Sequence, residues 1–137
     1  MALPQKQNFN PLPAPGDFVW CLFPQVLGQP GPKPRPALVV GVSPSTHEVD
    51  VIYGTSQKTY SLYPTEFVLD PSEQEFPVSG LSHRTKFDVA TRVKLPFDNT
   101  WFDVAPGFSG HIPLPKMGVL HANYMAAVTS AVKNQKP

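Results

Sequence analysis

The chain has 137 residues, 41% hydrophobic and 15% charged, which is apolar material for one compact core and too little length for two domains. With 11 basic and 10 acidic residues the formal net charge is +1, which excludes polyanion binding by bulk charge and leaves only a local patch. Proline is the outlier, 18 residues against 9 glycines, and excludes a mainly helical protein in favour of short strands joined by fixed turns.

The single cysteine, Cys21, excludes an internal disulfide and a cysteine-based zinc site and fits a reducing compartment. No segment approaches the roughly 18 apolar residues of a membrane span, and residues 1–15 lack the pattern of a secretory signal, so a cytoplasmic protein is expected. Half of the prolines fall between Pro4 and Pro36. Residues 1–15 read as a flexible proline-rich arm, disordered or extended on the surface, and residues 16–137 as a single domain.

In chain order, residues 17–23 (DFVWCLF) form a bulky apolar strand, followed by a proline-stiffened loop over 24–36. Residues 37–42 (ALVVGV) lack alternation and read as a strand buried on both faces. A turn at 43–47 makes a hairpin to 48–53 (EVDVIY), where Val49, Val51 and Tyr53 alternate with Glu48, Asp50 and Ile52. Residues 54–60 lead into a loop, 66–69 form a short strand, and 85–95 (TKFDVATRVKL) form a longer one whose pattern slips near 91–93, as at a bulge. Residues 97–115 show no clear period. From about 120 to 133 the chain lacks proline and glycine and repeats apolar residues at helical spacing, so one amphipathic helix on a small mainly β barrel is expected. No βαβ alternation or phosphate loop is present, which disfavours dinucleotide and P-loop chemistry.

The sequence holds no GxSxG elbow or HExxH motif, and its four histidines (His47, His83, His111, His121) lack metal-ligand spacing, so neither metal nor cofactor is expected. What remains is polar residues at the ends of apolar strands. Arg35-Pro36 opens the second strand and Thr55-Ser56-Gln57 closes the third. Counted outward from the hairpin turn, Arg35 and Thr55 lie equally far along antiparallel neighbours and meet at one end of the sheet. A guanidinium beside a hydroxyl there is a cradle for an oxyanion or phosphate. The bland alternative is a solvated arginine and a turn whose hydroxyls satisfy the backbone.

These residues resemble the PemK/MazF-like toxins of toxin–antitoxin systems. The resemblance rests on Gly16-Asp17-Phe18-Val19-Trp20, on Arg35-Pro36-Ala37-Leu38-Val39-Val40 and on Thr55-Ser56-Gln57, with Lys86-Phe87-Asp88 similar to the basic-x-Asp segment of some members. It implies an SH3-like (CcdB/PemK-type) β-barrel with a C-terminal helix, forming a homodimer neutralised by a cognate antitoxin. The implied activity is metal-independent cleavage of single-stranded RNA, with the 2′-hydroxyl attacking the adjacent phosphate. Arg35 then stabilises the pentavalent phosphate and can protonate the leaving oxygen, Thr55 hydrogen-bonds the phosphate, Asp88 is base or orienting group, and Lys86 is a charge partner. Ser56, Gln57, Lys86, Arg84 and Tyr53 are the candidate RNA-binding residues. Gln29-Pro30 stand where the family often has a Ser/His-Glu pair, and Lys86 where arginine is usual.

A non-catalytic module on the same barrel, binding RNA or a protein, is the alternative; a gyrase poison of the same fold ranks third. Trp20 and Trp101 read as core or dimer packing, and Tyr53, Tyr60 and Tyr63 as either base-stacking or cross-strand residues. The cluster His83, Arg84, Lys86, Arg92 and Lys94 holds two of the three arginines. It is either the local patch that RNA requires or a solvated strand face.

Overall fold

A computed structural model describes residues 7–26, 28–105 and 114–135. Seven strands appear in it: β1 (Asp17–Cys21), β2 (Arg35–Ser43), β3 (Glu48–Thr55), β4 (Glu66–Leu69), β5 (Thr85–Asp88), β6 (Val93–Pro96) and β7 (Lys116–Val119). One helix, α1 (Met125–Lys133), follows. Every strand pairing is antiparallel, in the order β4-β5-β3-β2-β1-β7, with β6 also on β3. The result is the expected mainly β fold, a curled half-barrel sheet with one C-terminal helix.

The absence of alternation in β2 has a simple cause, because the central strands bury both faces. Phe18, Leu38 and Ile52 enter one apolar cluster with Phe67, Leu69, Phe87 and Ala131 of α1. Their neighbours Val19, Ala37, Val39, Val49 and Val51 enter a second with Leu95, Phe97 and Phe102. Successive side chains on a strand point to opposite faces, so a two-sided core needs apolar residues at every position. The second cluster is closed by Phe9 and Leu12. Phe9 donates its N–H to the carbonyl of Phe97 (3.0 Å), and its own carbonyl lies 2.8 Å from Nε2 of His47.

Three local readings change. Residues 85–95 are two strands rather than one bulged strand, because a 3₁₀ turn over Val89–Thr91 divides them. β5 meets β3 at Gly54 and Thr55, whereas β6 meets it at 48–51, so the interruption lets one stretch serve both ends of β3. β7, unread in the sequence, lies just after the segment without clear period and pairs with β1 at the edge of the sheet. The α-helix starts at Met125, after a 3₁₀ turn over Ala122–Tyr124 capped by Nδ1 of His121, which accepts the N–H of Asn123 (3.0 Å). Side chains at that start anchor the helix: Tyr124 Oη donates to Glu73 (2.8 Å) and Asn123 Nδ2 to Glu75 (2.7 Å). Hydrogen bonding to Asn123 holds the Glu75 carboxyl below its ordinary pKa.

Cys21 is fully buried, and that burial pushes its thiol pKa up, as for a small inert core residue. Among the described residues no helix is long and apolar enough to cross a membrane.

Candidate phosphate-binding cleft

Arg35 is the first residue of β2 and Thr55 the last of β3. Ser43 faces Glu48 at the turn, a register that would carry Arg35 opposite Ser56 if it continued unbroken. An irregularity between Val39 and Gly41 takes up one residue, so Ala37 faces Tyr53 and the strand ends bring Arg35 and Thr55 together. Both line a cleft of about 680 Å³.

Three separate stretches build its walls. The proline-rich loop turns back on β1 through the N–H of Gly31, which donates to the carbonyl of Leu22 (3.0 Å), and brings Lys33 and Pro34 to the rim. Gly80, Leu81, Ser82 and His83 form the opposite wall, beside Met117 of β7. Gly80 adopts φ +73, and a Cβ there would lie 2.1 Å from the carbonyl oxygen of Met117. Both the left-handed backbone and the close approach therefore require glycine. Thr85 donates its hydroxyl to the carbonyl of His83 (2.8 Å), fixing the backbone that presents the imidazole. Trp20, expected as packing, is half-buried and lines the cleft.

The lining has the chemistry to hold an anion. Lys33, Arg35 and His83 supply positive or proton-bearing groups, and Thr55, Ser56 and Ser82 supply hydroxyls. Among the described residues no carboxylate lines it, and neither Arg35 nor Lys33 makes an ion pair. Thr55 Oγ1 accepts the N–H of Gln57 (3.1 Å), the turn-stabilising role foreseen for it. Accepting through one lone pair leaves its hydrogen for a ligand. Ser56 lies in the cleft, while Gln57 takes part through that backbone bond.

The other sequence candidates are engaged elsewhere. Asp88 lies outside the cleft lining; its Oδ1 accepts from Thr65 Oγ1 (2.8 Å) and from the N–H of Ala90 (2.9 Å), capping the 3₁₀ turn. Lys86 is buried at 7% exposure, 3.2 Å from Glu66, and donates to the carbonyl of Ser61 (3.1 Å). Tyr53 packs its ring on Phe23, 5.1 Å between centroids, and donates its N–H to Thr91 Oγ1 (3.0 Å). Arg84 pairs with Asp70 (2.7 Å), and Arg92 and Lys94 both pair with Asp50 (2.7 and 3.4 Å). Hydrogen bonds from Ser72 and then Arg84 bring the Asp70 carboxyl down to about 2, and Arg92, followed by Lys94, lowers that of Asp50. Gly54 faces Phe87, and a Cβ there would come within 2.4 Å of the ring, so the close approach that this glycine permits is packing against Phe87.

Sequence reasoning missed Lys33 as a cleft residue and placed His83 only in the basic cluster. The alternation of Lys33 with Pro34 and Arg35 was a usable signal for the first. Nothing local marked His83, since its position depends on Gly80 packing against β7.

The fold so defined is a known one. No family model matches the sequence, and no curated protein does. Among solved structures, an endoribonuclease from a mycobacterial species, in complex with its cognate antitoxin, superposes with a TM-score of 0.55 at 17% identity, over 91% of this chain and 99% of that one. A second mycobacterial endoribonuclease gives 0.54 at 16% identity, over 91% of each chain. The shared fold agrees with the resemblance to PemK/MazF-like toxins drawn from the sequence.

Proposed function

We propose that the protein is the toxin of a type II toxin–antitoxin system, a cytoplasmic homodimer that cleaves single-stranded RNA without a metal ion and is neutralised by a cognate antitoxin. The observation that carries this reading is Arg35, an arginine with no carboxylate partner among the described residues, in a hydroxyl-bearing cleft at the strand end shared with Thr55. The fold shared with two endoribonucleases, one of them bound to an antitoxin, supports it.

In the reaction the 2′-hydroxyl oxygen attacks the adjacent phosphorus, and the bond to the 5′ oxygen breaks as the new O–P bond forms. The products are a cyclic phosphate and a free 5′-hydroxyl. Negative charge grows on the non-bridging oxygens, where the Arg35 guanidinium offers forked donors and the Thr55 hydroxyl one more. Ser56 and Lys33 hold the flanking backbone. Among the described residues His83 is the cleft side chain whose residue type exchanges protons near neutrality, and it accepts the 2′-hydroxyl proton while the leaving oxygen takes one from water. Asp88 acts at one remove, since the turn it caps holds the N–H of Tyr53 through Thr91.

Incubating the purified protein with unpaired RNA in chelator tests the reading. Cyclic-phosphate and 5′-hydroxyl ends are expected, and a single 2′-deoxy substitution at the cut position should block that cut. Cleavage that needs added magnesium overturns metal independence. The missing carboxylate in the cleft favours the second reading, a non-catalytic RNA-binding barrel, and RNA that is bound but left intact would establish it.

A further inference from the structure

Two tyrosines on the loop after β3 are strongly exposed, Tyr60 at 85% and Tyr63 at 71%. Tyr60 is nevertheless rigidly backed. The guanidinium of Arg84 lies 4.0 Å from its ring centroid, and that guanidinium is held by Asp70 (2.7 Å) and by the carbonyl of Thr59 (3.2 Å). One face of the ring therefore rests on a fixed cation, and at this exposure the other face is open. Tyr60 and Arg84 also line a shallow hollow of about 350 Å³ with Thr59, Ser56 and His83. Ser56 and His83 line the Arg35 cleft as well, so the two depressions share a border.

We propose that Tyr60, backed by Arg84, is a stacking platform for an unpaired base of the RNA strand whose phosphate is held at Arg35. The proposal rests on the ribonuclease reading and deepens it. An open aromatic face suits any base, because every base has a π-face, and stacking of this kind tolerates sequence. A preorganised ring loses little freedom on binding, unlike a mobile surface tyrosine. A base-paired strand has its faces covered by its neighbours and cannot use the platform, so the arrangement selects single strands. It also explains why Arg84 is paired: the Asp70 contact holds the cation under the ring instead of presenting it to a phosphate.

The test uses a short RNA with a 2′-O-methyl group at the cut position, which removes the nucleophile and lets binding be read without cleavage. Tyr60→Ala should weaken binding of this RNA about tenfold, and Tyr60→Phe should bind as the unaltered protein does. Replacing the stacked base by an abasic unit should weaken binding to the unaltered protein and have no further effect on Tyr60→Ala. With cleavable RNA, Tyr60→Ala should raise KM and leave kcat nearly unchanged, because stacking holds ground state and transition state alike. If Tyr60→Ala binds RNA as tightly as the unaltered protein while cleavage proceeds, the platform is overturned and the ribonuclease reading stands. If the unaltered protein neither binds nor cuts RNA, both fall.

Discussion

Two regions of this molecule are rich in cations, and they differ in what faces the charge. Lys86 on β5 and Lys94 on β6 each have a carboxylate within 3.4 Å, as does Arg92 just before β6, and Arg84, just before β5, has Asp70 at 2.7 Å. At the end of β2, Lys33 and Arg35 have none among the described residues. The first region has more positive residues and the second the more available positive charge. A cation paired within the fold has already used its strongest contact, so a basic stretch becomes an anion site only where the fold withholds carboxylates.

The largest expected effect comes from exchanging the regions in a mutational test. Arg35→Ala should lower kcat on RNA by a hundredfold or more, and Arg92→Ala should change it less than twofold; equal losses in a steady-state assay would erase the distinction. His83→Gln should follow, with a loss on the order of a hundredfold and a changed pH–rate profile. A variant that cleaves as fast as the unaltered protein, with an unchanged pH–rate profile, would remove His83 from the mechanism.

The paired region should register in stability instead. Lys86→Ala leaves Glu66 buried without its cation and should cost about 3 kcal/mol in urea unfolding. Lys86→Met with Glu66→Gln should recover most of that loss, and a double variant as unstable as the single would mean the pair is not what holds β4 to β5. The smallest effect is on acid stability. The Asp70 carboxyl titrates at about 2 in the fold, below its ordinary 3.8, so its contribution is complete above 3.8 and is lost as pH falls toward 2. Asp70→Asn should flatten the dependence of stability on pH in that window only.

The comparison also shows what the sequence can carry. The Arg35–Thr55 corner was legible because a hairpin is local: strand lengths and one turn set it, and the unseen irregularity at Val39 to Gly41 merely corrected the register. The two-sided burial of β2 was legible from its unbroken apolar run. The ion pairs were not, since Lys86 meets Glu66 only through the β4–β5 register, with a loop of fifteen residues between them. Where the Asp88 carboxylate goes was illegible for a similar reason, because a basic-x-Asp spacing says nothing of the Val89–Thr91 turn that takes it up. β7 was hidden because Lys116–Val119 is too short and too exposed to show a period.

The second layer of the core, closed by Phe9 and Leu12, bears on how a nucleic acid chain can approach. Proteins that read RNA on an open β-sheet lay the strand across its face, where several bases spread over neighbouring strands. The central sheet here has apolar residues packed against both of its faces, and the Arg35 cleft lies at its rim. Under the proposed function, an RNA chain reaching Arg35 would pass over that rim, touching the protein over a few nucleotides before leaving it. Recognition would then extend over a short run of bases, and segments of chain on either side would remain free to be part of any larger folded RNA.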